Sequence, residues 1–251
     1  MNVGTPKQLF EANGFIGPET LFDQSTMTNI AEQISEFISQ NKLSQDWYSA
    51  VKPQNIDEQP VETIYDAHWS VEEIKKLCTN NDLIAKLSEL MSTELVIWRT
   101  TFWIKEPGAR RVEWHQDTYK EEQLGSFPNI NAWIALDEAP ENNCLWFADS
   151  THREIIDLDQ FKQPNYVEQL MSGTKLPFPP VDPETTISKM PLQPGQCVIF
   201  DGRTLHGSPP NLSDKRRAGL VIRFIPKDYV LQGYNGKLMD SQGNEVKNKA
   251  V

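Results

Sequence analysis

The triplet His115-Gln116-Asp117 carries more chemistry than any other stretch of this chain. Side chains at i and i+2 of an extended strand leave on the same face, so an imidazole and a carboxylate placed this way can reach one ion. A third ligand has to come from elsewhere. The chain has four histidines, His68, His115, His152 and His206. His206 is the candidate, because it lies just past the apolar run CVIF (197–200). Two imidazoles and one carboxylate on one face of an octahedron leave three positions open. That is the facial arrangement of non-haem iron(II) centres, with room for a bidentate co-substrate and for oxygen. A His-x-Asp triplet alone is weak evidence, since a buried histidine is often simply satisfied by a carboxylate. The setting strengthens it: WHQD follows the turn KEPG (105–108), and HGS (206–208) follows Pro194-Gly195 and a strand.

Strands must hold these groups, and the sequence changes texture where they are needed. LVIWRTTFWI (95–104) is β-branched and aromatic, and NAWIAL (131–136), the stretch 143–147, CVIF (197–200) and AGLVIRFI (218–225) repeat the pattern between turn signals. Several short strands separated by turns predict a mainly β (α+β) protein built as a sandwich or barrel. The first ninety residues read instead as helices. Thr5-Pro6 opens one and Gly14 closes it. Met27, Ile30, Ile34, Phe37 and Ile38 mark a second. Ser70-x-x-Glu73 predicts a capping box for a third, and Asp82 precedes a fourth through Leu83, Leu87 and Leu90. The stretch 41–66 is polar and contains Pro53 and Pro60, so a loop with some strand is expected. The proline-bearing insertion 154–190 is expected to be a lid or substrate-contact loop, and the polar tail 235–251 to be disordered or folded over the site. One domain over 1–251 is therefore expected, with a helical flank over 1–92 and the β core over 93–230.

Three segments, IKEPGARRVEWHQD, NAWIALDEAPENNCLWFADSTHR and LQPGQCVIFDGRTLHGSPPNLSDKRRAGLVIRF, resemble the phytanoyl-CoA dioxygenase family of iron(II)- and 2-oxoglutarate-dependent oxygenases. The resemblance implies a double-stranded β-helix (jelly-roll, cupin-like) core. It also implies that His115, Asp117 and His206 are the iron ligands. Arg217, eleven residues past His206, matches the arginine that takes the distal carboxylate of 2-oxoglutarate, and Ser208 and Trp133 match positions lining that pocket. A guanidinium fork suits a carboxylate in a way that lysine does not. Arg216 faces the opposite side of the strand, whereas Arg223 shares the face of Arg217 further along. Arg99, Thr101 and Trp103 share a face that is expected to line the pocket. His68, His152 and Cys144 are read as structural. WRTTFWIKEPG and NNCLWFADSTHR are similar to the branch containing aliphatic halogenases, in which a small residue replaces the metal-binding aspartate. Asp117 is present here, so hydroxylation is expected in place of halogenation; desaturation, epoxidation, oxidative demethylation or a carrier-tethered substrate are the alternatives, and no residue separates those reactions from hydroxylation.

Thirty-five acidic against 24 basic residues give a formal net charge of −11. That field disfavours nucleic acid as a partner, and Lys215-Arg216-Arg217 is too short to reverse it. It equally disfavours an acidic carrier protein, so a free small molecule is the expected substrate, an amino acid or amino-acid-derived compound in particular. Cys78, Cys144 and Cys197 include no CxxC pair, which suits a reducing compartment without disulfides. The opening MNVGTPKQLFEANGF lacks the pattern of a leader, and no run approaches the ~18 apolar residues of a membrane span. A soluble, cytoplasmic protein is expected, with oligomeric state unspecified. Two other classes share the scaffold: a non-catalytic jelly-roll binding module, and a cupin-type metalloenzyme needing no 2-oxoglutarate.

Overall fold

The computed structural model describes residues 4–41, 59–117, 127–156, 181–182, 184–232, 234 and 236–248. Helix α1 (Pro6–Asn13) has the predicted ends: Thr5 and Gln8 form a capping box, and Gly14 ends the helix at φ 88. Helix α2 spans Gln24–Asn41 and buries Met27 and Ile34; the Ile38 side chain lies outside the described residues. Helix α4 (Asn81–Met91) buries Leu83, Leu87 and Leu90, one stripe at helical spacing. Its cap is Asn80, whose side chain accepts from the Leu83 amide, while Asp82 sits in the first turn.

The capping box expected at Ser70 does not form. Helix α3 runs Glu72–Cys78 behind Val71, with no side-chain cap. Ser70 has φ −115 and ψ −22 and closes a short turn over Ala67–Trp69. An N-cap hydroxyl needs an extended backbone to reach forward, and Ser70 lacks it.

Two antiparallel sheets face each other. The larger is built around β3 (Leu95–Lys105), β10 (Arg217–Pro226), β5 (Ile130–Ala135) and β8 (Gln196–Asp201). It is extended by β1 (Phe15–Thr20) and β2 (Glu62–Tyr65), and by β11 (Leu238–Met239) with β12 (Glu245–Val246). The smaller has the order β4 (Val112–His115), β9 (His206–Ser208), β6 (Leu145–Ala148) and β7 (Ile187–Met190). From β3 to β10 the chain crosses between the two sheets at every step except β6 to β7, which pair within the smaller sheet, the winding of a double-stranded β-helix.

Both faces of the larger sheet are buried, which explains why its strands read as continuous apolar runs. Ile97, Phe102, Ile134, Leu220 and Ile222 face the helices with Ile74, Leu77 and Leu87. Trp133, Val198, Phe200 and Val221 face inward, against Leu145 and Phe147 of the smaller sheet. The described part of the tail forms a hairpin, β11 against β12, docked on β3 through Met239 and Ile97. Most of the insertion (157–180), the stretch 42–58 with Pro53, and residues 118–126 lie outside the described residues; β7 occupies the end of the insertion. Among the described residues no helix is long and apolar enough to cross a membrane.

Candidate active site

Strand pairing brings the ligand-type residues together. In the smaller sheet His115 at the end of β4 is registered opposite His206 at the start of β9, and their rings lie 4.2 Å apart between centroids. Asp117 follows two residues beyond His115, held by its amide to the Gly202 carbonyl. One donor atom from each of His115, Asp117 and His206 falls within 4.8 Å of the others. The intervening Gln116 points the other way, where its amide bonds the carbonyls of Thr151, Glu154 and Arg203 and its oxygen accepts from the Ile156 amide. The alternation that directs two ligands inward therefore turns Gln116 into a staple for the loops behind them.

The protons are placed for metal binding. His115 Nδ1 lies 2.8 Å from the Glu113 carbonyl, and His206 Nδ1 lies 2.8 Å from the Thr204 carbonyl. A carbonyl only accepts, so each Nδ1 carries a hydrogen and Nε2 is the ring nitrogen left to face an ion. Burial, then the neighbouring His115, pushes the His206 imidazole down to about 3, so it is neutral at pH 7. Burial alone would raise the Asp117 carboxyl, but the Arg223 guanidinium and the two imidazoles outweigh it and hold it below the ordinary carboxylate range. Two imidazoles that turn Nε2 inward and an ionised carboxylate fit a divalent cation with an affinity for nitrogen and oxygen.

Beside them opens a cleft of about 390 Å³, counting its mouth, lined by Trp103, Trp133, Phe200, Ser208, Arg217 and Arg223 among others. Arg217, Gly219, Val221 and Arg223 alternate along the inward face of β10. Arg217 is 2% exposed. Its Nε donates to the Asn143 carbonyl at 3.0 Å, and its guanidinium stacks 5.0 Å from the Trp133 ring centre. Its Nη2 has no partner, and no carboxylate pairs with it among the described residues. Burial lowers it to about 10, which leaves it charged at neutral pH. A buried cation with one unanswered donor edge is a receptor for an anion. Arg216 faces outward, where it forks onto Asp137.

Of the expected lining residues, Trp103 lines the cleft, and Thr101 sits behind it and accepts from Arg223 Nη1 at 2.8 Å. Arg99 does not line the cleft: it lies between the rings of Tyr65 and Trp98 and faces Asp66. The ladder of β3 and β10 stays in register from Thr101 to Arg99 and shifts only past Arg223, so Arg99 is the last residue before the bulge and meets Tyr65, Trp98 and Asp66 there. His68 bonds Thr100, and all three cysteines are buried and free, as structural readings require.

Three residues beyond the sequence reading complete the site. Asn131 donates to Asp117 Oδ2, and Lys105 donates to Ser208 Oγ. Gly219 leaves space for the Trp133 indole, since a β-carbon there would meet Cζ2 at 2.0 Å. Asn131 opens the NAWIAL run and Gly219 interrupts an apolar strand, both visible signals; Lys105 beside a turn reads as an ordinary surface lysine.

A double-stranded β-helix carrying a His-x-Asp…His constellation beside a buried arginine defines a class of oxygenase, and comparison with known proteins places the chain within it. Residues 10–219 match the family model for phytanoyl-CoA dioxygenase (PhyH). The chain belongs to that family and is an iron(II)- and 2-oxoglutarate-dependent dioxygenase. It is 26% identical over 209 residues to the methylphosphonate hydroxylase of Gimesia maris, covering 82% of this chain and 74% of that protein. It is 22% identical over 230 residues to the 2-aminoethylphosphonate dioxygenase of an uncultured bacterium (HF130_AEPn_1), covering 87% and 79%. The crystal structure of SnoK, a non-haem alpha-ketoglutarate-dependent carbocyclase of nogalamycin biosynthesis, superposes with a TM-score of 0.71 at 17% identity, over 92% of this chain and 87% of that one.

Proposed function

We propose that His115, Asp117 and His206 hold the iron, that Arg217 with Ser208 and Trp133 receives the distal carboxylate of 2-oxoglutarate, and that the protein hydroxylates an aliphatic C–H of a small, free amino acid or its phosphonate counterpart. The observation that carries this reading is the unanswered Nη2 of buried Arg217 beside the three converging ligand atoms. When bound, the iron supplies the coupled chemistry by which O2 converts 2-oxoglutarate to succinate and carbon dioxide while the substrate gains a hydroxyl.

The chain's own residues do the positioning. The two histidines present their Nε2 atoms, and Asp117 offers the Oδ1 that faces them, 3.6 Å from His115 Nε2. Arg217 and the indole of Trp133 form a flat cationic wall suited to a carboxylate. Phe147 and Phe200 pack against the His206 ring and keep water from that side. Asp117 stands where the halogenases that the sequence resembles carry a small residue, which favours hydroxylation over halogenation.

Two observations support the substrate class. The net charge of −11 disfavours an acidic carrier protein, and two relatives are named for small phosphonates, one of them bearing an amine. The test is 2-oxoglutarate-dependent succinate formation across free amino acids, aminophosphonates, alkylphosphonates and carrier-loaded aminoacyl groups, with Asp117→Ala as control. Substrate-stimulated succinate with the free compounds, lost in the control, is expected. Stimulation by carrier-loaded groups alone would overturn the substrate assignment.

A further inference from the structure

Lys105, the last residue of β3, is completely buried, a place where an ammonium is rarely found without a carboxylate. None is paired with it among the described residues. Its Nζ donates instead to three oxygens: Ser208 Oγ at 2.7 Å, the Pro209 carbonyl at 2.6 Å and the Ser208 carbonyl at 3.4 Å. Lys105 is also the strand partner of Arg217. Two buried cations therefore sit side by side, and burial first, then the guanidinium, pull the Lys105 ammonium well below its ordinary range. Such a pair is costly until an anion joins it.

We propose that Lys105 is a positioning residue for the 2-oxoglutarate distal carboxylate, acting through the hydroxyl of Ser208; the inference rests on the reading of Arg217 and Ser208 given above. A hydroxyl has one hydrogen and two lone pairs, whereas an ammonium has three hydrogens and none. The three oxygens around Nζ match the three N–H bonds of the charged form. Because Ser208 Oγ accepts from behind, its own hydrogen is left to point away from Lys105. Ser208 lines the cleft with Arg217, while Lys105 lies behind it. Lys105 thus turns Ser208 into a directed donor beside the guanidinium fork. Asn211 fixes the arrangement by bonding the carbonyls of Lys105, Glu106 and Lys215, which ties the end of β3 to the loop after Ser208.

The test is calorimetric binding, without turnover, to the Mn(II)-loaded protein. The probes are 2-oxoglutarate and 2-oxopentanoate, which has the same chain length but no distal carboxylate. Lys105→Met is expected to weaken 2-oxoglutarate by roughly 10- to 100-fold, the scale of a lost hydrogen bond to a charged group, and to leave 2-oxopentanoate unchanged. Ser208→Ala should weaken 2-oxoglutarate similarly, and the double variant should bind within about threefold of Ser208→Ala, because paired residues acting as a unit are not additive. Should Lys105→Met fail to fold, Lys105→Gln keeps one donor for Ser208 Oγ and is expected to show a smaller loss for 2-oxoglutarate, again with 2-oxopentanoate unchanged. Equal weakening of both oxo acids, or full 2-oxoglutarate affinity in the Lys105 variants when Ser208→Ala has lost it, overturns the inference alone. Unchanged 2-oxoglutarate binding in Arg217→Gln overturns the underlying assignment and the inference with it.

Discussion

Asn131 Nδ2 donates to Asp117 Oδ2 at 2.9 Å, and this one bond decides which carboxylate oxygen faces the histidines. Arg223 Nε approaches the same Oδ2 at 3.4 Å, so that oxygen is occupied from the larger sheet while Oδ1 is left toward His115. A carboxylate anchored by one oxygen presents a single ligand atom and leaves the remaining metal positions for co-substrate and oxygen. Removing the anchor in Asn131→Ala is expected to weaken metal binding by about 10- to 100-fold, the usual effect of losing an orienting partner. Mn(II) titration of the purified protein reads this directly, and parental affinity in the variant would show that Asn131 orients nothing.

Arg217 and Arg216 are adjacent in sequence and opposite in role, which makes them a built-in comparison. Arg217→Lys keeps the charge but loses the fork and the stack on Trp133. Its KM for 2-oxoglutarate should rise at least about tenfold, with a smaller change in kcat, which is the signature of lost co-substrate binding. Arg216→Lys removes only a half-exposed pair with Asp137, and surface pairs contribute little. Succinate-release kinetics on both variants check the contrast, and equal effects would refute it.

Gly219 is required by contact and not by backbone conformation. A β-carbon there would stand 2.0 Å from Trp133 Cζ2 and 2.3 Å from Cε2, so the indole must move or the strand must part. Gly219→Ala should displace Trp133 from beneath Arg217, raise the KM for 2-oxoglutarate and lower stability by roughly 1–3 kcal/mol, the usual cost of overpacking. Urea unfolding and co-substrate kinetics together test it; a variant normal in both would mean the ring has slack that the packing does not show.

What the chain reveals before folding depends on whether a signal is local. Strands β3, β5, β8 and β10 were legible because burial on both faces makes them apolar runs, and the ends of α1 because Thr5, Gln8 and Gly14 act within a few residues. Strands β4 and β9 hold His115 and His206 yet carry almost no pattern; β9 is three residues long and exists through pairing with β4 and β6. The convergence of His115, Asp117 and His206 follows residue type and spacing, while the partners of these residues do not. Asn131 meets Asp117, and Lys105 meets Ser208, only through register between strands distant in sequence. Arg99 departs from its expected place because it meets Tyr65, Trp98 and Asp66 instead of the cleft, contacts that no local signal announces.

His68 couples the fold to pH at a distance from this chemistry. It is 1% exposed, its Nδ1 bonds the Thr100 hydroxyl at 2.8 Å, and its Nε2 has no partner among the described residues. Burial lowers its imidazole from 6.5 to about 4. The unfolded chain therefore binds a proton that the folded protein refuses between those values, so stability rises with pH across that window. The contribution is fully present above pH 6.5 and is lost as pH falls toward 4, on the order of 3 kcal/mol for such a shift. A neutral amide cannot titrate, so in His68→Gln the urea midpoint should depend less steeply on pH between 6.5 and 4 than in the parent. Identical slopes in the two metal-free proteins would show that His68 takes up its proton without opening the fold.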